Sequence, residues 1–68
     1  MKIQRQQVIT QLARKSINAA DLARAAGMSR ALISKALRGG NLSTATVGRI
    51  ANALGVDVTE IMEVEDAT

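Results

Sequence analysis

One local arrangement recurs four times in this chain and constrains its fold more than any other feature. An apolar residue precedes a polar residue able to cap a helix, and a large aliphatic residue follows the cap by four positions. It appears as Ile17-Asn18 with Leu22, Met28-Ser29 with Ile33, Leu42-Ser43 with Val47, and Val56-Asp57 with Ile61. The cap side chain accepts a hydrogen bond from an orphan N–H of the first turn, and the flanking apolar pair closes over it as a hydrophobic staple. Glu60, three residues after Asp57, makes a capping box, and Asp21 after Asn18 is its shorter analogue. Gly27, Gly39 and Gly55 fall just past periodic apolar segments, where helices commonly stop.

These starts and stops predict helices over 3–15, 19–26, 30–37, 44–54 and 58–62. The inward stripes read as Val8, Ile9 and Leu12; Leu22, Ala23 and Ala26; Ile33, Ala36 and Leu37; and Val47, Ile50, Ala51 and Leu54. Gly48 interrupts the fourth helix and is expected to mark a close backbone approach. Twelve alanines and no proline agree with an all-α chain. At 68 residues there is room for one domain with a marginal core. The expected organisation is a domain over 1–62 followed by a short acidic tail, 63–68, that frays.

Several kinds of chemistry are missing from the composition. With no Cys and no His there are no disulfides, thiol nucleophiles, imidazole bases or common zinc ligands. Only one carboxylate, Asp21, precedes residue 57, so paired acid–base catalysis has no partner group. The chain is therefore expected not to be an enzyme and to carry no cofactor, and its length is expected to leave no room for a small-molecule effector pocket. The absence of aromatic residues removes base stacking and weakens an RNA-binding reading. The longest apolar run, Ala31-Leu32-Ile33, is too short for a membrane span or a signal-peptide core. A cysteine-free chain fits a reducing, cytoplasmic setting.

Charge is divided sharply along the sequence. All nine basic residues precede residue 50, so residues 1–56 carry +8 while residues 57–68 carry −5. A +8 body attracts a polyanion such as nucleic acid.

The second and third predicted helices are separated only by Gly27, Met28 and Ser29. A tight, glycine-led connection of this kind is the geometry of a helix-turn-helix. With Ile33 and Leu37 turned inward, steps of about 100° place Ala31, Lys35 and Arg38 on the opposite side, with Ser34 beside them. Arg30 opens this helix, and recognition helices lead with their N-terminal residues into the major groove. Arg30 and Lys35 are the expected guanine readers, and Ala31 and Leu32 are candidates for thymine-methyl contact. Ser34 serves either a base edge or its own backbone. Arg38, at the helix exit, is assigned to a phosphate. Asn41, Ser43, Thr44 and Arg49 surround the positive end of the fourth helix and join it as phosphate candidates, as does Asn18 at the start of the second.

The run from Asn18 to Gly39 resembles the helix-turn-helix of the Cro and phage-repressor family, the xenobiotic-response-element type. The likeness rests on Leu22-Ala23, Gly27, Ser29 and Ile33-Ser34, and continues from Thr46 through Ala53-Leu54-Gly55-Val56. It implies a five-helix, lambda-repressor-like fold, a homodimer, and sequence-specific binding to double-stranded operator DNA. Three departures stand out. Ala19 occupies a place where members usually carry a phosphate-clamping Gln, and Leu37 one where Glu is frequent. The Gly39-Gly40-Asn41-Leu42 loop is shorter than usual and lacks the proline that precedes the fourth helix, which implies a looser connection.

The leading functional reading is a small Cro-like or phage-type repressor of the prokaryotic cytosol or nucleoid, acting on a palindromic operator. The alternative is an antitoxin-like module that occupies a protein partner through its acidic segment. A short fifth helix cannot turn Val58, Ile61, Met62 and the following Val64 all inward, so these four are assigned to the dimer interface.

Overall fold

Three of the chain's turns are built on the same three-residue corner. Ser16, Gly27 and Gly55 each adopt a left-handed φ, at 55°, 69° and 69°. The next residue, Ile17, Met28 or Val56, donates its N–H back to Leu12, Ala23 or Ala51. The third residue, Asn18, Ser29 or Asp57, is the cap of the next element. Each corner thus ends one helix with a Schellman closure, tucks an apolar side chain against the core, and starts the next element. Ser16 performs with a side chain what glycine performs at the other two corners.

The computed structural model describes residues 1–63. Helix α1 is Arg5–Lys15, α2 is Ala19–Ala26, α3 is Arg30–Leu37 and α4 is Thr44–Leu54, and a single 3-10 turn follows at Val58–Glu60. The expected ranges of α2, α3 and α4 match, because both ends of each carry a local signal. Helix α2 packs against both α3 and α4, and the 3-10 turn packs against α4. The core is aliphatic throughout: Val8, Leu22, Ile33, Val47, Ile50, Leu54 and Ile61 are its largest fully buried side chains. Ala23, Ala36 and Ala51 fill the places where larger residues would hold the helices apart. Among the described residues no polar or charged side chain is buried.

The two ends of the domain depart from the sequence expectation, for one reason. Residues 1–4 do not extend α1; Ile3 instead forms an isolated antiparallel bridge with Met62 and is buried. The Gln4 N–H donates to the Ile61 carbonyl at 2.6 Å, and the Glu63 N–H donates to the Lys2 carbonyl at 2.8 Å. This pairing draws Ile61 and Met62 out of a fifth helix, which shrinks to the 3-10 turn. It also buries Ile61 completely, at 0% exposure. Ile61 is thereby removed from the surface expected to meet a second copy; Val58 and Met62 remain half-buried against the core, and Val64 lies outside the described residues.

Two smaller expectations also change. Ile9 is exposed rather than inward, since α1 turns the neighbouring Val8 and Leu12 to the core. Gly48 marks no close approach, because a Cβ built there would meet no atom within 4 Å.

Candidate nucleic-acid interface

Helix α3 is two turns long and presents two unlike faces. Ile33 and Ala36 are buried, and Leu32 and Leu37 pack half-buried against the core. Arg30, Ala31, Ser34, Lys35 and Arg38 are all exposed. Their spacing of one, three, one and three residues is the repeat of a single helical stripe. That stripe bears three cations and no carboxylate.

The base of the stripe is set by the corner at Gly27. Ser29 caps α3, its Oγ accepting the Leu32 N–H at 3.1 Å. The guanidinium of Arg30 therefore leaves from the first helical residue, beside the positive end of the α3 dipole. Ala31, one step around, offers a methyl group and no polar atom, and Leu32 gives part of its surface to the core.

Asn18 stands at the start of α2, where a reciprocal capping box occupies it. Its Oδ1 accepts the Asp21 N–H at 2.9 Å while its own N–H donates to Asp21 Oδ2 at 3.1 Å. The side-chain NH2 is what Asn18 has left to offer an acceptor. Asp21 also lies 3.7 Å from Arg24 on an exposed pair. At that exposure the ion pair contributes little to stability, but it offsets negative charge next to the basic face.

The connection from α3 to α4 carries Asn41, exposed, and Leu42, buried. It is tied rather than loose. The Gly40 N–H donates to the Lys35 carbonyl at 2.9 Å, and the Leu42 N–H donates to the Met1 carbonyl at 2.6 Å. Ser43 then caps α4, accepting the Thr46 N–H at 3.1 Å, with its Oγ 2.8 Å from Thr46 Oγ1. The Ser43 hydroxyl is thus engaged within the helix start, and Thr44 follows it, exposed. Arg49 is exposed too but lies five residues beyond Thr44, roughly 140° around the helix, so the two do not share a face.

The structure accordingly gathers Arg30, Ala31, Ser34, Lys35 and Arg38 on one surface. It sets Asn41, Ser43 and Thr44 together at the start of α4, and leaves Asn18 and Arg49 on separate positions of α2 and α4. Gly40 is the residue of this region that sequence reasoning missed. The available signal was the glycine pair itself, since one glycine suffices to end α3.

Comparison with known proteins gives the family and the fold. The model of the Cro/C1-type helix-turn-helix DNA-binding domain family matches residues 9–67. Among solved structures, the chain is similar to the restriction-modification controller protein C.AhdI from Aeromonas hydrophila. The two share 24% identity with a TM-score of 0.75, over 82% of this chain and 86% of that one. At this identity the likeness carries the fold. No curated protein sequence matches the chain.

Proposed function

This chain belongs to the Cro/C1-type helix-turn-helix DNA-binding domain family, and from that premise we propose that it is a repressor-type transcription regulator reading a palindromic operator as a homodimer. Helix α3 enters the major groove with Arg30 leading. Arg30 donates two hydrogen bonds to guanine O6 and N7, and Lys35 reaches a second base edge one turn on. Ala31 meets a thymine methyl, and Ser34 lies between the two cations, near enough to a base to share in the reading. Arg38, Asn41, Ser43 and Thr44 hold phosphates alongside, with Asn18 and Arg49 on the flanking strand positions.

The observation that carries this reading is the outer stripe of α3. Five exposed side chains, three of them cationic, stand on a helix whose opposite face is locked into the core. Membership of a DNA-binding domain family supports regulation over catalysis. An antitoxin-like use of the acidic segment has less to draw on, because Asp57 and Glu60 are engaged with each other's backbone in a capping box. The functional unit is the domain over 1–62, working inside the cell on double-stranded DNA, with no cofactor.

Two copies related by a two-fold axis would present their α3 helices to half-sites about 34–36 Å apart. Selection of bound sequences from a random duplex pool tests the proposal. The expected product is an inverted repeat with that spacing; enrichment of no sequence, or of single half-sites alone, overturns it.

A further inference from the structure

Gly39 and Gly40 are adjacent, and only Gly39 has the left-handed φ, 87°, that closes α3. Gly40 is glycine for a different reason. A Cβ at Gly40 would lie 2.6 Å from Lys35 Cγ and 3.1 Å from Lys35 Cε, and 2.9 Å from the Lys35 carbonyl oxygen. The Gly40 N–H donates to that same carbonyl. The aliphatic stem of Lys35 therefore rests on the Gly40 backbone, in the space any other residue would fill.

We propose that Gly40 is a specificity-determining positioning residue, which seats the Lys35 stem and so decides which base edge the Lys35 ammonium reaches. The proposal rests on the reading of Lys35 as a base contact. A free lysine on a helix surface sweeps a wide arc, because its charge sits at the end of four rotatable carbons. Two of those carbons here lie against a fixed piece of main chain. That main chain is held on both sides, by the bond from Gly40 to Lys35 and by the bond from Leu42 to Met1 two residues on. The seat directs the stem along the exit of α3, where the negative end of the helix dipole also favours a cation. Rotamer freedom surrendered before DNA arrives need not be surrendered on binding, which sharpens the contact.

A side chain at Gly40 would displace the stem and press on the Lys35 carbonyl. Either change re-aims one base reader while leaving Arg30, at the other end of α3, where it is. This separates the role of Gly40 from that of a merely structural loop glycine, whose loss would weaken all DNA binding together.

The test combines one measurement on the unaltered chain with a set of variants. Nuclear Overhauser contacts between the Lys35 Hγ and Hε protons and the Gly40 Hα protons are expected in the free protein. Their absence overturns the proposal whatever the variants do. Base preference is then read by selection from a random duplex pool for the unaltered chain, Gly40→Ala, Lys35→Ala and the double variant. Lys35→Ala is expected to relax preference at one base-pair position by about fivefold or more. Gly40→Ala should relax the same position, spare the position read by Arg30, and add nothing to Lys35→Ala. Equal loss on preferred and random duplex, or additive loss in the double variant, overturns the proposal. Intact preference in Lys35→Ala with the contacts present fails the base-reading role itself, and with it the role of Gly40.

Discussion

Gln4 occupies the N-cap of α1 yet turns its side chain away from that helix, donating from Nε2 to the Met62 carbonyl at 2.9 Å. The bond joins residues 58 positions apart and lies beside the bridge between Ile3 and Met62. The segments around Ile3 and Met62 therefore hold each other, with Ile61 fully inside the core and Met62 half-buried at its edge.

Ile61 and Met62 should separate on substitution. Ile61→Ala empties a fully buried site and is expected to cost about 2–5 kcal/mol of stability. Met62→Glu acts on a half-buried side chain and is expected to leave the fold intact while weakening two-copy binding to a palindrome. Sedimentation with and without duplex, beside thermal unfolding, distinguishes the two. Undiminished two-copy binding by Met62→Glu would place the interface elsewhere, with the exposed Ile9 on α1 as the next position to test.

Two backbone positions should accept stabilising changes. Ser16 holds a left-handed φ of 55° with a Cβ present, so Ser16→Gly relieves local strain. Gly48 lies in the interior of α4 with open space around it, so Gly48→Ala raises helix propensity without a clash. Each is expected to add about 0.5–1 kcal/mol, a rise of several degrees in Tm for a domain of this size. A lowered Tm for Gly48→Ala would reveal a neighbour, such as a second copy, against that face.

Arg30→Ala should cost about 1–3 kcal/mol on the preferred duplex and much less on random sequence. Competition binding against both duplexes gives the comparison. Equal losses would move Arg30 from the base to a phosphate.

Affinity for duplex should fall steeply with salt, because the basic body displaces condensed counterions. If two copies cover roughly six to ten phosphates, log K against log salt should slope at about −5 to −9. A flat dependence measured by fluorescence anisotropy would sink the electrostatic basis of binding.

Asp57 gives the 3-10 turn an acid-sensitive start. Hydrogen bonds from the Thr59 hydroxyl and then the Thr59 N–H hold its carboxyl below its ordinary value of 3.8. A group with a lowered folded pKa contributes fully above its unfolded value and loses that contribution as pH falls through the folded one. The Thr59 amide resonance should therefore titrate below pH 3.8. Asp57→Asn, which retains a capping oxygen, should abolish the titration and keep the turn. A midpoint at or above the ordinary aspartate value would mean that the bonds from Thr59 do not form.

Helices α2, α3 and α4 were legible residue by residue because each is bounded by chemistry within three or four positions of its ends. The corner Gly27-Met28-Ser29 carries its own stop, staple and cap, and the outer stripe of α3 follows once Ile33 is turned inward. The end of α1 at Lys15 was legible too, but not the left-handed φ of Ser16, since a serine carries no sign that it will take one. Gly40 was missed because its requirement for glycine comes from Lys35, through a turn whose path no local pattern specifies.

Local sequence thus determined helices α2 to α4, their order, the basic outer face of α3 and the family to which they belong, since each depends on side chains a few residues apart. Tertiary structure decided the ends. Ile3 and Met62 could each have continued a helix on local grounds, and the bonds of Gln4 to Ile61 and of Glu63 to Lys2 made them a bridged pair instead. Backbone groups at a chain end have no helical partners of their own, so they take whatever partner the completed core brings within reach. Here the core brought the two segments together, buried Ile61, and left Val58 and Met62 half-buried at its edge.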